Sequence, residues 1–203
     1  MSVPAANILR VLYENDLKIF RTADLMTLTG LESSAATHAL KRLGSQRLLV
    51  KVKRGLWLSE PIRDISAHEL VPFLTAPWPA YVSLYSALSQ YSIVEEVPHI
   101  VYGVTSGRPG KFHTPLGVFH LHHLPGRFMW GYEMKRIARG LVPMAEPEKA
   151  FLDLAYLALI PRSGLKAPHK RGRKWNLNTK KLKAYAKKFN FKPLKDFIMG
   201  IHG

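Results

Sequence analysis

The chain has 203 residues, 47% of them apolar, and no cysteine. That length can bury one large core or two small ones, and the absence of thiols excludes disulfides and any thiolate zinc or iron–sulfur centre. The net charge of +16, from 30 Lys and Arg against 14 Asp and Glu, points first to nucleic acid, with an acidic membrane surface or an acidic protein as the other users of such charge.

The charge is unevenly placed. Residues 1–59 hold nine basic and four acidic side chains, residues 60–153 eight and nine, and residues 154–203 thirteen and one. Arg10, Glu14 and Asp16 interrupt the N-terminal apolar pattern. With no run near the length of a membrane span, the expectation is a soluble cytoplasmic protein that does not engage membranes.

In chain order, Ala5, Ile8, Leu9 and Leu12 follow the spacing of one helix face, predicting a helix over residues 5–15. Residues 22–29 read as a second helix, with Thr22 as its cap, Leu25 and Leu28 as its buried side and Gly30 as its stop. A third helix is expected over 33–46, capped by Ser33 or Ser34. Its apolar face is Ala36, Ala39, Leu40 and Leu43; the opposite face carries Ser34, His38, Lys41 and Ser45, flanked by Thr37 and Arg42. A hairpin over 48–58 turns at Arg54-Gly55, with Leu48, Val50 and Val52 alternating with Leu49, Lys51 and Lys53. Helix, turn, helix and basic hairpin in that order predict a winged helix-turn-helix, whose second motif helix enters the DNA major groove. Ser34, Thr37, His38 and Lys41 are then expected at base edges, and Arg42, Lys51, Lys53 and Arg54 at phosphates.

Pro61, Pro72, Pro77 and Pro79 mark a connection over 61–79, with a short helix expected within 65–74. Beyond it the spacing predicts a helix over 81–91, a strand over 99–104, a hairpin over 112–124 turning at Pro115-Leu116-Gly117, and a strand over 141–144. Glu146-Pro147 starts a further helix running through Ala158. The segment 161–175 is rich in Gly, Pro and basic residues, and reads as a loop. Asn178 caps a helix to Asn190 with Leu182, Tyr185, Ala186 and Phe189 on one face. Lys170, Arg171, Arg173 and Lys174 are expected to extend the electrostatic footprint on DNA.

Two constellations invite a chemical reading. His113, His120, His122 and His123 suggest a metal, but third and fourth ligands are not at hand in the sequence, so none is expected. Glu146, Glu148, Lys149 and Asp153 suggest a nuclease cluster, yet adjacent Glu148 and Lys149 diverge on a helix. The plainer account puts the two glutamates at a helix N-terminus and pairs Lys149 with Asp153 one turn on. Neither catalytic residues nor a cofactor are expected, and the chain does not read as an enzyme.

Four stretches in order carry a family resemblance: Gly55-Leu56-Trp57, Tyr81-Val82-Ser83-Leu84-Tyr85-Ser86-Ala87-Leu88, Val104-Thr105, and Pro147-Glu148-Lys149-Ala150-Phe151-Leu152-Asp153-Leu154. They resemble the AbiEi family, antitoxins of bacterial type IV toxin–antitoxin systems linked to abortive phage infection, over roughly residues 5–190. The resemblance implies an α+β chain: a winged helix-turn-helix over 1–60, the connection over 61–79, and a mixed α/β antitoxin domain over 80–203 with a basic helical C-terminus from 161. It also implies an autorepressor that binds double-stranded DNA at inverted repeats in its own promoter and opposes a nucleotidyltransferase-type toxin. Two other readings stand beside it: an antitoxin that binds its toxin directly, and a stand-alone winged-helix regulator with a sensing middle domain. Two features depart from the family: Ser92-Ile93 stands where many relatives have a glycine-leucine pair, and the tail is more basic.

Overall fold

Ile8 and Leu12 lie one turn apart on helix α1 (Ala5–Glu14), and both are buried. The computed structural model describes residues 4–59, 65–95, 98–161, 164–168 and 175–201. A short strand β1 (Ile19–Arg21) leads into α2 (Thr22–Thr29), which ends at Gly30 with φ 68°, a left-handed turn that glycine adopts without strain. Helix α3 (Ser33–Ser45) follows, then β2 (Leu49–Lys53) and β3 (Leu56–Ser59), in a three-stranded antiparallel sheet of order β1-β3-β2.

Several local expectations change. The cap of α2 is Arg21, not Thr22: the Arg21 amide donates to the Asp24 carboxylate at 2.7 Å, while Thr22 Oγ1 accepts from Trp57 Nε1 at 3.2 Å. Glu32, without a side-chain cap, precedes α3 in place of Ser33 or Ser34. Leu28 is exposed, because Leu25 alone of that helix reaches full burial. In the hairpin Leu48 is exposed and Leu49 buried, contrary to expectation, while Val50 and Val52 pack inward as expected. Both faces of the sheet are covered: Leu49 enters the smaller core and the two valines lie against the larger one.

The small sheet has two buried faces. Phe20, Leu49 and Trp57 close a core with Ile8, Leu12, Leu25 and the apolar face of α3, Ala36, Ala39, Leu40 and Leu43. Ile19, Leu56 and Leu58 belong instead to the larger core of the rest of the chain. Burial on both sides explains why Leu56-Trp57-Leu58 is an unbroken apolar run rather than an alternating one.

That larger core is built on a six-stranded mixed sheet of order β6-β7-β5-β4-β9-β8. The chain enters through a single 3-10 turn (Ala67–Leu70) and α4 (Val71–Leu74). The expected helix over 81–91 is in fact strand β4 (Ala80–Val82) followed by α5 (Leu84–Gln90). Tyr81 and Val82 are drawn into the ladder because β4 fills the centre of the sheet, antiparallel to β5 (Ile100–Thr105) and parallel to β9 (Gly140–Ala145). Strands β6 (Gly110–Thr114) and β7 (Gly117–His123) form the expected hairpin, and β7 runs parallel to β5. Strand β8 (Tyr132–Ile137), unforeseen, pairs antiparallel with β9 at one edge.

Helix α6 (Pro147–Leu159) is the centre of this unit, with residues 148–157 all buried. Helix α7 (Thr179–Lys188) is capped as expected, Asn178 Oδ1 accepting the Lys181 amide at 3.0 Å. A final helix α8 (Lys192–Ile201) buries Leu194, Phe197 and Ile198. Among the described residues no helix is long and apolar enough to cross a membrane.

Candidate nucleic-acid interface

The apolar stripe of α3 fixes the rotation of that helix, because its four core residues point at α1, α2 and the sheet. Ser34, His38, Lys41 and Arg42 are consequently exposed and Thr37 is half-buried. Gly44 sets the distance between α3 and the hairpin: a Cβ there would lie 3.3 Å from the Trp57 ring. Trp57 is further tied to α2 through Thr22, whose amide donates to the Gly55 carbonyl at 3.0 Å. Helix and hairpin are therefore held at one spacing.

Between them lies an open groove of about 510 Å³, bordered by Lys41, Gly44, Arg47, Leu49, Val50, Lys51 and Trp57. The geometry thus brings Lys41 of α3 and Lys51 of β2 to one place and adds Arg47, which the sequence reading did not single out. Arg47 has φ 59°, just past the helix; a basic residue between an amphipathic helix and a strand was the available signal. Lys51 Nζ lies 6.0 Å from the Trp57 ring centre, leaving its ammonium exposed for another partner. Arg54 is exposed at the hairpin turn beside Gly55, whose φ is 75°.

Lys53 behaves differently. It was expected at the phosphates, but its ammonium donates to the Leu74 carbonyl and sits 5.7 Å from the Phe112 ring centre. Burial lowers its pKa. A bulge in β2 between Lys51 and Lys53 turns the side chain inward. Lys53 thus ties the small sheet to the larger unit. Lys170, Arg171, Arg173 and Lys174 lie outside the described residues.

A larger groove of about 740 Å³ runs beside α1, lined by Leu9, Tyr13, Glu14 and Asp16 among others. Its two carboxylates are matched by Lys18 and Arg139, so its lining holds no excess of positive charge for phosphate.

The cluster at the start of α6 is a tie within the core. Lys149 and Asp153 form an ion pair with neither side chain exposed to solvent. Tyr81 OH accepts from Lys149 Nζ at 2.8 Å and donates to Asp153 Oδ2 at 3.0 Å, while Ser83 Oγ donates to the same oxygen at 2.8 Å. The Lys149 ammonium is also surrounded by the Trp130, Phe189 and Tyr81 rings, at 5.0, 5.2 and 5.4 Å. Burial pushes Lys149 down and Asp153 up, and their mutual attraction opposes both shifts. Burial likewise raises the Tyr81 phenol, reinforced by the Asp153 carboxylate.

Glu146 and Glu148 do sit at the helix start, and they also anchor α7. Glu146 accepts from Tyr185 OH at 2.6 Å and Lys181 Nζ at 3.0 Å; Glu148 accepts the Asn178 amide at 2.8 Å. Lys181 is thereby committed within the fold, whereas Lys180, Lys183 and Lys187 remain on the exposed side of α7.

The histidines do not assemble. Tyr102 lies edge-on to His120 and stacks on His122, His123 Nδ1 is 3.0 Å from the Gly107 carbonyl oxygen, and no group of three potential metal ligands occurs among the described residues. Compared with known proteins, the sequence matches no family model and no curated protein sequence.

Proposed function

We propose that residues 4–59 form a winged helix-turn-helix and that the protein represses transcription from its own promoter. The observation that carries this reading is the basic groove between α3 and β2, where Lys41, Arg47 and Lys51 converge beside the exposed Ser34, His38 and Arg42. In this reading α3 lies in the major groove, with Ser34, Thr37, His38 and Lys41 at base edges. Arg42, Arg47, Lys51 and Arg54 hold the backbone on either side. The resemblance to the AbiEi family extends the proposal: the chain is the antitoxin of a type IV system and opposes a nucleotidyltransferase-type toxin.

Fluorescence anisotropy with the DNA upstream of the gene tests the first part. Binding should exceed that to shuffled DNA and weaken as salt rises. Lys51→Ala and Arg54→Ala should each reduce the salt slope by about one and weaken all sequences alike. Lys41→Ala should change sequence preference, and Lys53→Met should leave the salt slope where it was. Equal affinity for promoter and shuffled DNA would remove the repressor reading. Co-expression with a neighbouring nucleotidyltransferase gene tests the second part: growth arrest that this chain does not relieve would end the antitoxin assignment.

A further inference from the structure

The two edges of the six-stranded sheet are unlike. The β6 edge is blunted: Lys111 and His113 are exposed, Pro109 and Pro115 flank the strand, and Lys53 lies over Phe112. The β8 edge has no flanking proline, but it carries charges of both signs, Glu133 and Arg136 exposed and Lys135 laid over the Tyr91 ring at 3.6 Å. Its one strand neighbour is β9, and among the described residues its backbone makes no hydrogen bond outside that pair. It also displays apolar side chains: Met134 is 57% exposed, Tyr132 is 40% exposed with one ring face stacked on Tyr81, and Leu141 on the adjoining strand is 55% exposed.

We infer that β8 pairs with β8 of a second copy, antiparallel about a two-fold axis at Met134, joining two six-stranded sheets into one. The register follows from geometry. A two-residue turn joins β8 to β9, with Ile137 opposite Gly140 next to the turn. In such a hairpin that pair exchanges hydrogen bonds, so residues 133, 135 and 137 direct their backbone groups to β9. Residues 132, 134 and 136 therefore direct theirs outward, to the open edge. A two-fold axis normal to the sheet keeps each side chain on its own face, which allows only registers centred on a residue.

Three such centres are available near the middle of the strand. Centring on residue 133 sets Glu133 against its own copy, and centring on 135 does the same with Lys135; both are like-charge contacts across the ladder. Centring on 134 sets Glu133 opposite Lys135, Tyr132 opposite Arg136, and Met134 opposite Met134. Every cross-strand pair is then opposite in charge, cationic on aromatic, or apolar. The charges on this edge alternate in an order complementary to itself. This association does not depend on DNA binding.

The absence of cysteine makes the register directly testable, since one substitution introduces the sole thiol. The Met134→Cys variant should form an intermolecular disulfide under mild oxidation, because residues opposed in a hydrogen-bonded pair have Cα atoms about 5.5 Å apart. The Leu141→Cys variant, one strand inward, should stay unlinked. Analytical ultracentrifugation of the full chain should show a dimer, Glu133→Lys should reduce it to monomer, and Glu133→Lys with Lys135→Glu should restore it; circular dichroism confirms that each variant is folded. A monomer across the concentration series leaves the edge to a strand of some other protein and overturns the inference. So does a folded charge-swapped double variant that remains monomeric, or equal cross-linking at 134 and 141.

Discussion

Lys149 and Asp153 carry opposite charges in a place that water does not reach, so each is stable there because of the other. Removing one partner leaves an uncompensated buried charge, whereas replacing both with apolar groups removes the desolvation penalty together with the attraction. Asp153→Leu should therefore cost about 3–5 kcal/mol in urea unfolding. Lys149→Met with Asp153→Leu should cost clearly less, although the Tyr81 hydroxyl then loses both of its partners and Ser83 one. Equal loss from the single and double variants would show that packing, not charge, governs the site. Beside it, Leu84 has φ 54° at the strand-to-helix transition and is fully buried. A non-glycine residue in that region stores about 1–3 kcal/mol, and the burial around it holds the conformation. Lys53 makes the complementary point. A lysine in a basic hairpin read as a phosphate contact, and the bulge that turns it toward Leu74 has no mark in residue type.

At the scale of elements, β7 gives the chain a dependence on pH. Burial lowers the pKa of His120 and His122, with Lys111 adding repulsion, and burial alone lowers that of His68 on the 3-10 turn. Each folded-state pKa lies below the unfolded value of about 6.5. The unfolded chain thus binds more protons in this window, and stability falls as pH drops from about 6.5 through the folded pKa values. His122 is the principal candidate, since its Nε2 is buried without a hydrogen-bond partner and its ring stacks on Tyr102. Thermal unfolding from neutral to mildly acidic pH should show decreasing stability, with a shallower decline in His122→Gln; identical slopes would exclude His122 as a source. Other elements show how far pattern alone reaches. The periodicities of α1, α3 and α6 were clear because each buries one recognisable stripe or begins at a proline. The span 81–91 read as helix, since its apolar residues satisfy both periods and only position in the sheet separates β4 from α5. Strand β8 escaped notice because its exposed, charged sequence lacks the alternation of a half-buried strand.

For the whole molecule, the decisive feature is that the small sheet serves two cores. Ile19, Leu56 and Leu58 close the larger unit while Phe20, Leu49 and Trp57 close the smaller one. Cutting the chain after residue 59 would expose the first three, at about 1.5–3 kcal/mol each, a loss comparable with the whole stability of a small domain. Residues 1–59 alone should give a poorly dispersed NMR spectrum; a well-dispersed one would show that this unit folds by itself. Such coupling lets the basic groove keep a fixed orientation to the rest of the protein.

The sequence by itself determined the presence and order of the three helices in the first 45 residues, the polar face of α3, the β6–β7 hairpin, the cap of α7 and the pairing of Lys149 with Asp153. Each depends on neighbours within a few turns or one hairpin, where spacing and residue type suffice. Tertiary structure alone decided that Lys53 faces inward, that Arg47 joins Lys41 and Lys51, that Tyr81 belongs to a strand, and that β8 stands at an open edge. Those outcomes depend on which distant segment arrives at each surface, and contacts far apart in the chain leave no period in the sequence.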